Sequence, residues 1–258
     1  MNSLPVNQFK QDLNARKNLI GLWCNFATLP TVESLAYAGF DWLLLDMEHT
    51  PSDLQIIGTQ LLALRGTPTA AIVRVPSADM TFIKRALDAG SPNLMVPNIR
   101  SAAEAKEVVS WTRFAPEGVR GTAGSTRGGG YTRYKDYMAR ANDEVGLVLQ
   151  IESREALDAL DDICRVPGVD AVFIGPSDLS AALGRRGQPG HPDVQAAISK
   201  AIAIGVAAGK AVGILTVDGK GEPYLDQGAT MVGVGSDLHL LVAAADALAA
   251  KFTSYRAA

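Results

Sequence analysis

Short apolar runs alternate with amphipathic stretches along almost the whole chain. Runs rich in Leu, Val and Ile, bounded by Gly, Pro or Asp, occupy 18–24, 41–46, 69–75, 93–97, 145–151, 169–174, 211–215 and 230–234, and each predicts a strand. Helical periodicity fills the intervals, near 30–38, 52–65, 79–89, 101–113, 153–164, 192–208, 220–227 and 236–251. Two helix starts are explicit: Ser101 precedes Ala102-Ala103-Glu104 as a capping box, and Ser153 precedes Arg154-Glu155. Eight strand-helix units in 258 residues predict an α/β fold of the (β/α)8 TIM-barrel kind. We expect a single domain over 1–258, with an extra helix at about 5–17 closing the N-terminal end of the barrel. An open doubly wound sheet would need fewer strands and a Gly-rich dinucleotide loop, and the chain has no such loop.

Polar residues inside this pattern sit where a barrel does its chemistry, at the C-terminal strand ends. The second strand ends in Asp46-Met47-Glu48-His49, the third in Arg74, the fourth is followed by Asn98, the fifth carries Gln150 and Glu152, and the sixth is followed by Ser177-Asp178. Alternation puts Trp42, Leu44 and Asp46 on one face, and Ala70, Ile72 and Arg74 on one face of the next strand. Leu147, Leu149 and Ile151 form an apolar face suited to a covering helix, which leaves Gln150 on the same face as Glu152.

Glu152 and Asp178 are the most informative pair. Consecutive parallel strands end roughly 5 Å apart, so two such carboxylates can grip one divalent cation. A lone acid at a strand end is more often a helix cap or a solvated loop residue; two on adjacent strands with a coplanar Gln reverse that balance. His49 reads either as a structural histidine or as a base whose tautomer is set by Asp46, three residues earlier. An inward Arg74 requires an anionic partner. His191, before a helix-starting Pro192, and His239 read as structural or solvated, and Cys24 and Cys164 as small buried hydrophobes.

Charge narrows the partners. With 24 Lys+Arg against 27 Asp+Glu, the net charge of −3 gives no field for a polyanion, so no nucleic acid partner is expected. No apolar run reaches the length of a membrane span, two cysteines make no disulfide framework, and no signal-type leader opens the chain, so we expect a cytoplasmic protein without membrane contact. Two glycine-rich segments stay open. RGTAGSTRGGGY, from Arg120 to Tyr131, fits neither nucleotide-loop pattern and lies in an aperiodic stretch over 114–138, which favours a lid or a subunit contact. Gly233-Val234-Gly235-Ser236 is either a phosphate loop or a tight turn into a helix. The final segment, Asp237 to Phe252, is apolar on more than one face and predicts a homo-oligomer.

Six strings together resemble a known family: GFDWLLLDMEH from Gly39 to His49, VRVP around Arg74, LDAG from Leu87, PEGVRG from Pro116, QIE from Gln150, and PGVDAVFIGPSDL from Pro167 to Leu179. They look like the metal-dependent class II pyruvate aldolases, the 4-hydroxy-2-oxoheptanedioate aldolase family. The resemblance implies a barrel of the phosphoenolpyruvate/pyruvate type, assembled as a hexamer from trimers, with the C-terminal end at a subunit interface. It also implies Glu152 and Asp178 as ligands of Mg2+, Mn2+ or Co2+, His49 with Asp46 as a catalytic pair, and Arg74 as the enolate-stabilising residue. Trp23 and Gln150 match further active-site positions, and Ser177 completes the expected substrate-binding set. SPNLMVPNI, from Ser91, and STRGGGY, from Ser125, depart from the family pattern and bear on the acceptor half.

The chemistry implied is reversible cleavage of a 4-hydroxy-2-oxo acid to pyruvate, or a close 2-oxo acid, and an aldehyde. A cation on two carboxylates acts as a Lewis acid toward the enolate, Arg74 adds a second positive charge, and His49 removes the 4-hydroxyl proton. No lysine falls at a strand end, which disfavours Schiff-base chemistry. The alternatives are a related lyase acting on a coenzyme A thioester, a 2-oxo acid decarboxylase or tautomerase, and a catalytically silent ligand-binding barrel.

Overall fold

The computed structural model describes residues 3–256. Eight strands close into one barrel in chain order. They are β1 Leu19–Cys24, β2 Trp42–Asp46, β3 Ala70–Arg74, β4 Asn93–Val96, β5 Gly146–Ile151, β6 Ala171–Ile174, β7 Ala211–Leu215 and β8 Met231–Ser236. Every neighbouring pair is parallel, including the closing pair of β1 with β8. Each strand expected from the sequence is present, with ends moved by two residues at most.

The alternation decides which side chains fill the barrel. Trp23, Trp42, Leu44, Ile72, Met95, Val148, Phe173 and Met231 point inward, joined from below by Phe9 and Leu13 of the helix Gln8–Asn14. Trp23, Trp42 and Phe173 meet edge-on or tilted, with centroids 5.4–6.5 Å apart. Gly21 makes room for this cluster, because a Cβ there would lie 2.0 Å from the Trp42 indole. The opposite strand faces, Leu147, Leu149 and Ile151 among them, pack with Ile57, Ile83, Val108 and Ile198 of the surrounding helices. Caps fix where those helices begin: Asp53, Asp79, Ser101 and Ser153 each accept a hydrogen bond from a first-turn backbone N–H.

Three helical features differ from the sequence expectation. The N-terminal helix is shorter than 5–17, because Arg16 turns into the left-handed region at φ 54° just past its end. The helix expected over 153–164 is two short ones, Arg154–Asp158 and Leu160–Cys164, broken where Ala159 takes φ −94° and ψ 4°. Pro176–Ala182, outside the helical stretches expected from the sequence, is a helix opened by Pro176 at its first position.

The aperiodic stretch is anchored beneath the barrel. It leaves the C-terminal end of helix Ala102–Thr112 and returns to the start of β5, so it lies at the N-terminal ends of the strands. Arg120 donates to Asp88 Oδ1 at 2.8 Å and to the Tyr137 hydroxyl at 2.9 Å while stacking on Phe114, and Arg127 Nη1 donates to Gly58 O at 2.8 Å. It cannot therefore be a lid over its own catalytic mouth. The last long helix, Asp237–Ala250, is capped by Ser236 and projects from the barrel, with every residue from Leu238 to Ala250 exposed. Among the described residues no helix is long and apolar enough to cross a membrane.

Candidate active site

The mouth is built outward from Arg74. Asp46 and Arg74 are register partners on β2 and β3, and Arg74 donates Nε to Asp46 Oδ1 at 2.8 Å and Nη2 to Oδ2 at 2.6 Å. The third guanidinium nitrogen, Nη1, lies 2.7 Å from Glu48 Oε2, out of line for a hydrogen bond but in full electrostatic contact. Trp23 covers the guanidinium from below, with Cζ 5.2 Å from its ring centroid. Glu48 was missed as a site residue. Its signal is the same alternation that marks Asp46, since the two stand two positions apart on one face.

Glu152, one residue past β5, is buried. Gln150 Nε2 donates to its Oε2 at 2.9 Å, as their shared face predicts, while Gln150 Oε1 is buried without a partner. Gly175 sits against the same carboxylate, where a Cβ would lie 2.6 Å from Oε2. Burial raises the Glu152 pKa to about 7, with the charges of Glu48 and Asp178 adding to the rise and Arg74 and the Asn98 N–H opposing it. Burial raises Glu48 as well, opposed first by Arg74. Asn98 takes φ 56°, a conformation Asn tolerates better than most residues.

Asp178 and Ser177 occupy the first turn of helix Pro176–Ala182, and both are exposed at the mouth. Glu48 lies against the Arg74 guanidinium, and the charge of Asp178 acts on both Glu48 and Glu152. Among the described residues no three His, Cys, Asp or Glu side chains converge closely enough to hold a metal unaided. Buried Glu152 and half-buried Glu48, both raised in pKa, beside the unpartnered Gln150 amide oxygen and the exposed Asp178, are nevertheless oxygen donors of the kind that a hard divalent cation satisfies. Glu152 and Asp178 are the residues that would hold it.

His49 lies apart from its expected partner, Asp46. Its exposed ring lies 3.9 Å from Glu48 Oε2, and Asp46 does not orient it. Asp46 Oδ1 accepts from Arg74 Nε and from Glu48 N, and Oδ2 from Arg74 Nη2, whose planar fork matches a carboxylate better than one imidazole N–H does. The remaining histidines behave as expected: His191 Nδ1 accepts from Asp193 N at 3.1 Å at its helix start, and His239 sits exposed in the first turn of the last helix. Gly233–Ser236, expected to be a phosphate loop or a tight turn, is instead the last part of β8, and Ser236 caps the helix that follows directly.

The family model described as HpcH/HpaI aldolase/citrate lyase matches residues 19–244. The chain belongs to this family. A 4-hydroxy-2-oxo-heptane-1,7-dioate aldolase from Shigella sonnei is 47% identical over 95% of this chain and 95% of its own. A 5-keto-4-deoxy-D-glucarate aldolase from Klebsiella pneumoniae is 44% identical over 97% of this chain and 98% of its own. The crystal structure of an HpcH/HpaI aldolase/citrate lyase family protein from Burkholderia cenocepacia superposes with a TM-score of 0.92 at 37% identity, covering 95% of this chain and 99% of that one. As a member of this aldolase family the chain is a carbon–carbon lyase.

Proposed function

We propose that the chain catalyses reversible cleavage of a 4-hydroxy-2-oxo acid to pyruvate, or a close 2-oxo acid, and an aldehyde, using a divalent cation such as Mg2+, Mn2+ or Co2+. The observation that carries this reading is the bidentate Asp46–Arg74 pair at a barrel mouth, with Glu48 against the same guanidinium and the buried Glu152 raised by the charges of Glu48 and Asp178. Glu152 and Asp178 would hold the cation, which would supply Lewis acidity toward the oxygens of the 2-oxo acid.

The chain's own groups do the rest. Asp46 and Glu48 lock the Arg74 guanidinium in one plane, so its charge is aimed, without reorganisation, at the oxygen on which negative charge collects. Trp23 excludes water from beneath that guanidinium. Gln150 holds Glu152 in place, and the Ser177 hydroxyl receives the substrate carboxylate. His49 is the base that takes the 4-hydroxyl proton, and its contact with Glu48 steers the ring toward the mouth. The chain works in the cytoplasm as a homo-oligomer, a hexamer built from trimers, with the projecting helix Asp237–Ala250 seated on another copy.

Lactate dehydrogenase-coupled pyruvate release, run over a panel of 4-hydroxy-2-oxo acids with and without chelator, tests the proposal. Turnover that survives chelation would remove the cation. Decarboxylation without aldehyde release, or turnover of coenzyme A thioesters alone, would replace the reaction.

A further inference from the structure

A cavity of about 750 Å3 opens at the end of the barrel opposite the catalytic mouth. Its floor includes Ala71 of β3, three residues before Arg74, which places it about 10 Å below that residue along the strand. Arg65, Arg120, Arg127 and Arg133 all line it, against Glu144 as the acid in the wall. Glu144 is already paired with Arg140 at 2.5 Å, and Arg120 with Asp88 at 2.8 Å. Among the described residues Arg65, Arg127 and Arg133 have no carboxylate partner; Arg127 and Arg133 donate only to the carbonyls of Gly58 and Tyr131.

We propose that this cavity is a binding site for a small multiply charged anion, of the phosphate or polycarboxylate class. The side chains must do the recognising, because the loop amides are taken: Gly128 N donates to Asp88 O, Gly129 N to Thr126 O and Gly130 N to Arg127 O. That rules out a glycine-loop phosphate cradle and leaves planar guanidinium forks, which suit both phosphate and carboxylate oxygens. Arg120 is 3% exposed and its Nε has no partner, an unsatisfied buried donor in the cavity wall. Burial and the nearby Arg65 charge both lower the Arg127 pKa, against an opposing effect of Tyr131, and an anion between the two arginines relieves that strain. Tyr134 and Tyr137 supply ring surface to the remaining wall.

The test is calorimetric titration of pyrophosphate and of citrate, separately, into the metal-free full chain at an ionic strength fixed with chloride. We expect saturable binding, weakened tenfold or more in the Arg65→Gln/Arg127→Gln double variant and unchanged in Arg74→Gln. The tighter of the two probes identifies the phosphate or the carboxylate source. Phenylglyoxal labelling of the wild type, read by peptide mass, keeps the test independent of variant folding: either probe should protect Arg65 and Arg127. Absence of saturable binding, binding unaffected by the double variant, or loss in Arg74→Gln overturns the site. So does a double variant that changes the oligomeric state of a protein binding neither probe, since the face is then a contact between copies.

Discussion

Asp46 holds Arg74 through two parallel bonds, 2.8 Å and 2.6 Å long, across the register of two neighbouring strands. The aspartate therefore faces the guanidinium, while the nearest acid to the His49 ring is Glu48, at 3.9 Å.

This pairing predicts non-additivity. Arg74→Lys should lower kcat by roughly 10²-fold, because a point ammonium cannot replace an aimed fork. Asp46→Asn should cost less, and the double variant should be no worse than Arg74→Lys alone. Steady-state kinetics on the four proteins decides; additive losses would give Asp46 a separate task.

Glu152→Ala or Asp178→Ala should each abolish binding of Mn2+ by calorimetry, since one carboxylate is too few ligands for a weakly held ion. Gly175→Ala should weaken it with both ligands intact, because the new Cβ would stand 2.6 Å from Glu152 Oε2. Unaltered affinity in any of the three would displace the metal from this pair.

The raised Glu152 pKa, about 7 against 4.5 for an ordinary glutamate, makes pH a second readout. A carboxyl whose folded pKa is raised contributes stability that is complete below about pH 4.5 and lost as pH climbs through about 7. Metal-free Glu152→Gln should accordingly match the wild type near pH 5 and exceed its thermal stability near pH 8. Cation binding should release about one proton at pH 6 and almost none at pH 8, measured by calorimetry in buffers of different ionisation enthalpy. Equal proton release at both values would place the metal elsewhere.

His49→Ala should impair carbon–carbon cleavage more than exchange of the pyruvate methyl protons, because Arg74 and its carboxylate partners remain to stabilise the enolate. Deuterium exchange followed by NMR separates the two steps. Equal losses would move His49 into enolate chemistry.

Leu241 and Leu248 are 58% and 59% exposed on the projecting helix. Replacing both with Glu should split the assembly into smaller species by light scattering, since burying two unpaired charges costs more than a contact of this kind returns. A wild-type chain that is monomeric and fully active at micromolar concentration would contradict the oligomer.

Local signals were enough to determine the barrel. Each strand carries its own run of β-branched or Leu-rich residues and its own bounding Gly, Pro or Asp, and each alternation says which side chains face the axis, so Trp42, Leu44 and Asp46, or Gln150 and Glu152, could be grouped before any contact was known. What the sequence could not determine is which neighbour a polar group chooses. Spacing put Asp46 near His49, three residues on, but the sheet register put it opposite Arg74, whose fork wins both oxygens. The same holds for Glu48, for the helix that carries Asp178, and for the glycine-rich stretch that lies beneath the barrel instead of over its mouth. Those outcomes depend on desolvation and on contacts between residues far apart in the chain, and neither is written in local periodicity.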